Sequence, residues 1–237
     1  YPIRPEVIPG HLKVGWDLPF ELPMYGKFIS LNSFLSSKKL SIITPIANII
    51  LGAFNAILSI GKARNNDVKV EVYKNDELKS IAGFSEFFNS LTNEIPNYLI
   101  KDINFLNWRL GAPKTEYKII VIRIGSRIVG YSISRFVVME KIPCLGVLDF
   151  VFLKGYENYS TVLLQENEKL AKKGNAELIV SMIGGKWAKR YKFLRNGYLK
   201  TPHKFSFIFN KLDDSLSKVQ LSKEENWHLM WIDSDDL

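Results

Sequence analysis

Residues 145–153 read LGVLDFVFL, residues 154–161 read KGYENYST, and residues 176–183 read AELIVSMI. The first piece carries one charge, Asp149, in an otherwise apolar run, which reads as a strand buried on both faces. Gly155 and its polar neighbours interrupt that run. Residues 159–173 set Val162, Leu163, Leu170 and Ala171 on one side and stop at Gly174, the pattern of an amphipathic helix with a glycine terminator. Residues 176–183 form a second buried strand, so the heart of the chain is strand, helix, strand.

Working outward, residues 68–73 alternate apolar and polar as a half-buried strand does. Phe84, Phe87, Phe88 and Leu91 are spaced as one helix face, and residues 103–110 form a second short helical stretch. Residues 117–124 and 127–138 are two strands joined by a Gly125-Ser126 turn. Beyond the central piece, residues 186–196 read as a basic helix stopped by Gly197, and residues 204–210 as a last strand carrying Phe205, Phe207 and Phe209.

Of 237 residues, 46% are hydrophobic and 24% charged, which excludes a wholly disordered chain. The single cysteine, Cys144, excludes an intrachain disulfide framework and a cysteine-rich zinc site, and the three histidines lie far apart, so no metal site is expected. Lys and Arg outnumber Asp and Glu by 32 to 24, which favours anionic partners. Seven of those cations fall in residues 186–204 without an acid, interleaved with Trp187, Tyr191, Phe193 and Tyr198. Such a run suits a solvated face over buried aromatics, phosphate contact, or nucleic acid, the last resting on this run alone.

The order helix, helix, three antiparallel strands, helix, strand, helix, strand resembles the GNAT superfamily of acyl-CoA N-acyltransferases. Phe105-Leu106-Asn107-Trp108-Arg109, with Pro113 and Tyr117, and the ending Trp231-Ile232-Asp233-Ser234-Asp235 resemble segments of GNAT-like proteins from bacterial surface-glycan gene clusters. The resemblance implies an α/β fold with a mixed, mostly antiparallel central sheet, flanking helices and splayed central strands. Residues 145–153 and 176–183 would be parallel neighbours that part at their C-terminal ends. It also implies acyl transfer from acetyl-CoA or another acyl-CoA to a primary amine, with an amino sugar as the acceptor class; the lack of a leader pattern separately suggests a cytoplasmic protein. The alternative is a non-catalytic GNAT-like module that binds a partner protein, a glycan intermediate or a membrane surface.

On that resemblance, the backbone of Phe150, Val151 and Phe152 would hold the pantetheine arm. The pyrophosphate would rest on the loop with Lys154, Gly155, Asn158, Ser160 and Thr161, at the positive end of a helix. The loop departs from the family pattern in lacking a second small residue and in carrying Glu157, and an ordinary capped turn fits it equally. Asp149 is the candidate base, or else the buried partner of a nearby Arg or Tyr. Asn107 and Arg109 could face the acceptor, or Trp108 could anchor a helix end with Arg109 solvated. Phe193 takes the position of the family's proton-donating tyrosine and cannot donate. Tyr191, two residues away, would be turned about 200° off that face if the helix continued through it.

The N-terminal 65 residues read as an extension to a GNAT-like domain at 66–237. Residues 1–35 carry five prolines and read as short extended pieces, the end of a preceding unit; the opening Tyr1-Pro2-Ile3, with no leader pattern after it, suggests a fragment or processed product. Residues 40–61 contain no charge. Ser41, Thr44, Asn48, Gly52, Asn55 and Ser59 form a small or polar stripe, expected to contact protein, with peripheral membrane contact the next reading and a membrane span the last.

Overall fold

A computed structural model describes residues 2–3, 5–59, 67–92, 97, 99–113, 115–213 and 215–234. Its strands are β1 (Pro2–Ile3), β2 (Asp17–Phe28), β3 (Val68–Lys74), β4 (Lys118–Ile124), β5 (Arg127–Met139), β6 (Ile142–Phe152), β7 (Leu178–Met182) and β8 (Leu199–Phe209). The helices are α1 (Ile8–Lys13), α2 (Asn32–Ser37), α3 (Thr44–Ser59), α4 (Phe84–Thr92), α5 (Ile103–Arg109), α6 (Ser160–Lys173), α7 (Gly185–Arg190) and α8 (Lys218–Leu221). One sheet runs β1-β8-β2-β7-β6-β5-β4-β3. Every pairing in it is antiparallel except β6 with β7, so the expected mixed sheet with flanking helices is present.

The helices cover the sheet through the faces that their apolar spacing defines. Phe84, Phe87, Phe88 and Leu91 of α4 are all buried, and three of these rings meet Tyr131 of β5 at centroid distances of 5.2–5.7 Å. Each such side chain contributes about 1.5–3 kcal/mol on burial. The packing also fixes the direction of the Tyr131 hydroxyl, which the site below uses. Helix α6 buries Leu163, Leu164 and Ala171, and its buried Asn167 donates to Ser132 Oγ at 2.9 Å on β5. Cys144 is buried two residues into β6, as its place at a strand start suggests.

The expected boundary at 65/66 does not divide the sheet. Strand β2 lies between β8 and β7 and pairs with both, so residues from the N-terminal segment complete the centre of the sheet. Pro19 and Pro23 conceal the strand, because proline cannot donate to a ladder. They are tolerated because the β2–β8 register slips between Asp17 and Phe20 and again between Pro23 and Tyr25. Lys27 of β2 reaches Glu168 of α6 at 2.5 Å, and both ends of that pair are buried. Burial holds the Lys27 ammonium below its ordinary pKa, against the pull of Glu168.

Candidate active site

Strands β6 and β7 pair from Cys144↔Leu178 to Val147↔Ser181 and then part. The separation begins where β6 slips its register against β5, between Val147 and Asp149, leaving Leu148 as an extra residue. A bulge bends its strand, and here it turns the outer half of β6 away from β7. Strand β7 continues toward β2, with the Ile183 N–H donating to the Pro23 carbonyl at 3.2 Å.

The edge of β6 that leaves β7 is buried and capped by side chains. The Phe152 N–H donates to the Tyr191 hydroxyl at 3.4 Å, and His228 Nε2 donates to the Phe150 carbonyl at 3.2 Å. A carbonyl can only accept, so that bond fixes the proton on Nε2. Burial, then the charge of Lys101, pushes the His228 pKa down to about 3, and the ring is neutral. Burial pushes the Tyr191 phenol well above its ordinary value, so it keeps its proton. Residues 226–234 enter the gap alongside: Met230 bridges to Ile183, and Trp227 bridges to Asn97.

Asp149 lies on the same strand with no solvent exposure. Its Oδ1 accepts from Lys101 Nζ at 3.0 Å and its Oδ2 from the Tyr131 hydroxyl. Lys101 also pairs with Asp233 Oδ2 at 3.2 Å, and that oxygen accepts the Met230 N–H at 2.8 Å. Burial opposes the Lys101 charge, but the two carboxylates outweigh it and hold its pKa above the ordinary value. Burial raises Asp233 to about 6, partly offset by Lys101. Two carboxylates, one ammonium and a phenol therefore form one buried cluster, in which Lys101 offsets the acids and Asp233 Oδ1 is left without a partner. Of the two readings of Asp149, the geometry matches the buried partner, with Tyr131 and Lys101 as the groups that it binds.

Beyond Phe152 the chain enters the loop before α6. Gly155 has φ +91°, a conformation that suits glycine, and its N–H donates to Glu157 Oε2 at 2.9 Å. Glu157 also pairs with Arg190 of α7. A carboxylate thus occupies the turn, with Arg190 balancing it. Asn158 is exposed and no side chain caps α6. Ser160 is fully buried at the first turn of α6, its Oγ without a partner, and Thr161 Oγ1 accepts from Asn196 Nδ2 at 3.3 Å.

Two sequence readings change here. Helix α7 ends at Arg190, and Lys192 has φ +59°, so the helical rotation argued for Tyr191 does not apply. Tyr191 instead turns inward, packing between Phe150, Phe152 and Trp187. Phe193 packs beside it on Phe150 and Tyr198. The second change concerns α5. Trp108 is 71% exposed rather than an anchor, while Arg109 Nε donates to the Ile232 carbonyl at 3.2 Å and its Nη2 to that of Ser234. Arg109 thereby ties together the two short segments that carried the resemblance; Asn107 lies on the same helix, half-buried.

Lys101, Asp233, His228 and Tyr131 were not legible as site residues. The one available signal was Asp149 itself, since a lone acid in a buried strand calls for a hydrogen-bonding or charged partner. Among the described residues, no group of three or more His, Cys, Asp or Glu side chains could hold a metal ion.

No family model matches the sequence, and no curated protein matches it. Solved structures do. A GCN5-related N-acetyltransferase from Anabaena variabilis superposes with a TM-score of 0.52 at 11% identity, over 87% of this chain and 44% of that one. A functionally unknown conserved protein from Staphylococcus epidermidis gives 0.49 at 11% identity, over 87% and 67% of the two chains. A GNAT family acetyltransferase from Staphylococcus aureus gives 0.37 at 17% identity, over 48% and 84%. The chain spans less than half the length of the Anabaena protein. The likeness is one of fold, and the fold is that of the GNAT acetyltransferases.

Proposed function

We propose that this chain, having the fold of the GNAT acetyltransferases, transfers an acyl group from an acyl-CoA to a primary amine where β6 and β7 part. The observation that carries the reading is the order of parts along β6: the bulge at Leu148, the edge that leaves β7, the Gly155 turn and the first turn of α6, with His228 and Tyr191 now bonded to that edge. Phe150, Val151 and Phe152 would offer backbone groups to the pantetheine arm. The turn, with Lys154, Gly155, Asn158, Ser160 and Thr161, would receive the pyrophosphate, with the buried Ser160 Oγ unpartnered beneath it.

On this reading the acceptor nitrogen attacks the thioester carbonyl and the carbon–sulfur bond breaks. The thiolate takes a proton from Tyr191, and the amine proton passes to solvent. Tyr191 is the candidate for that part because its hydroxyl touches the β6 edge; burial makes the phenol a weaker acid than usual, which opposes the transfer. Its 3.4 Å bond to the Phe152 N–H is at the long limit, so exchange for a pantetheine carbonyl costs little. Asp149 acts by holding the edge in place through Lys101 and Tyr131. An amino sugar of a surface glycan is the acceptor class that the resemblance suggests, and the exposed Trp108 ring, beside Asn107, is a surface that a sugar can pack on.

One observation favours the binding-module alternative: Glu157 already fills the turn with a carboxylate. Isothermal calorimetry with acetyl-CoA separates the two. Micromolar binding is the expected result, and no heat at millimolar concentrations would overturn the enzyme reading. A thiol-release assay over a panel of amino sugars then tests the acceptor.

A further inference from the structure

Helix α3 is turned inside out for a soluble protein. Its polar residues face the domain: Asn48 Oδ1 accepts the Leu31 N–H at 2.8 Å, and Asn55 Nδ2 donates to the Phe28 carbonyl at 3.1 Å. Thr44, Ala47, Leu51 and Leu58 share that inward side. Gly52 is exposed, with open space where a side chain would stand, so the small residues make no close seam. The outward side is apolar: Ile46, Ile49, Ile50 and Ile57 are 64%, 73%, 65% and 65% exposed, and Ile42, just before the helix, is 91% exposed. A contiguous apolar face of this kind marks an interaction surface.

We propose that this face lies on an anionic lipid surface. Charge selects the occupant. From residue 22 to residue 66 the sequence contains no Asp or Glu, while Lys38 and Lys39 precede the apolar run and Lys62 and Arg64 follow it. Between α3 and the sheet runs a groove of about 450 Å³, walled by Leu51, Phe54 and Leu199. Lys38, Lys200 and His203 rim it, with Glu140 the one acid. Lys200 belongs to the basic run 186–204, which the proposed acyl transfer leaves largely unused. Cations beside an exposed apolar helix face match phosphate headgroups over acyl chains. A second copy of this chain would bring to these cations another segment without Asp or Glu, which opposes self-association through this face. The helix lies along the surface and does not cross it. Both asparagines near its middle are bonded to the domain, which holds one side of the helix against protein.

The test is co-sedimentation of the full chain with vesicles of phosphatidylglycerol and phosphatidylcholine, and with phosphatidylcholine alone. The wild type should pellet with the anionic vesicles and lose binding in high salt. The variant Ile46→Gln/Ile49→Gln/Ile57→Gln and the variant Lys38→Glu/Lys39→Glu should each bind about tenfold or more weakly. Both should melt as the wild type does, since they change exposed positions. Failure to pellet with anionic vesicles, or equal binding to neutral ones, would overturn the proposal. So would a wild-type dimer in light scattering that the isoleucine variant converts to a monomer.

Discussion

Lys101 Nζ stands 3.0 Å from Asp149 Oδ1, with neither side chain exposed. The pair links the loop before α5 to the strand that opens the cleft, and Asp233 brings the C-terminal segment to the same ammonium. Three distant parts of the chain are thus held by one buried cation.

That asymmetry sets an order of stabilities. Asp149→Asn leaves Lys101 paired with Asp233, whereas Lys101→Met leaves two buried carboxylates facing each other. Removing one partner of a buried pair costs about 3–5 kcal/mol. In urea unfolding, Lys101→Met should therefore lose more than Asp149→Asn, and the reverse order would contradict the geometry.

Tyr191→Phe keeps the ring between Phe150, Phe152 and Trp187 and removes only the hydroxyl. Loss of the proposed acid should lower turnover by about 10²–10⁴-fold with acetyl-CoA binding retained. Unchanged thiol release with an active acceptor would remove Tyr191 from the mechanism.

Glu157→Gln tests the pyrophosphate turn. Losing the carboxylate frees Arg190 and removes an anion from the path of another. Acetyl-CoA should bind several-fold more tightly by calorimetry. Weaker binding would mean that Glu157 shapes the turn rather than competing in it.

The buried His228 predicts an acid limb. Its pKa is pushed down to about 3 by burial, against an ordinary value of 6.5. Above 6.5 neither the folded nor the unfolded chain holds the proton, and the contribution is complete. As pH falls from 6.5 toward 3 the unfolded chain takes a proton that the folded one refuses, so stability falls by up to about 1.4 kcal/mol per pH unit. His228→Gln, which can still donate to the Phe150 carbonyl, should show a shallower acid limb in denaturant melts across that range. Parallel limbs would place the effect elsewhere.

Local pattern alone determined the strands at 68–73 and 145–153, the phenylalanine face of α4, and the glycine stop of α6, because alternation, helical spacing and glycine act within a few residues. It also exposed Asp149 as a buried acid in need of a partner. What it could not contain was the partner's identity: Lys101, Tyr131, His228 and Asp233 meet β6 only after the sheet and the C-terminal segment have closed. The same holds for β2, whose prolines look like turns until a neighbouring strand supplies slips that accommodate them. Helix α3 is divided between the two. Its polar stripe reads from the sequence as the side that contacts protein, and the bonds from Asn48 and Asn55 match that, while only the tertiary structure shows how far the isoleucine side stays exposed.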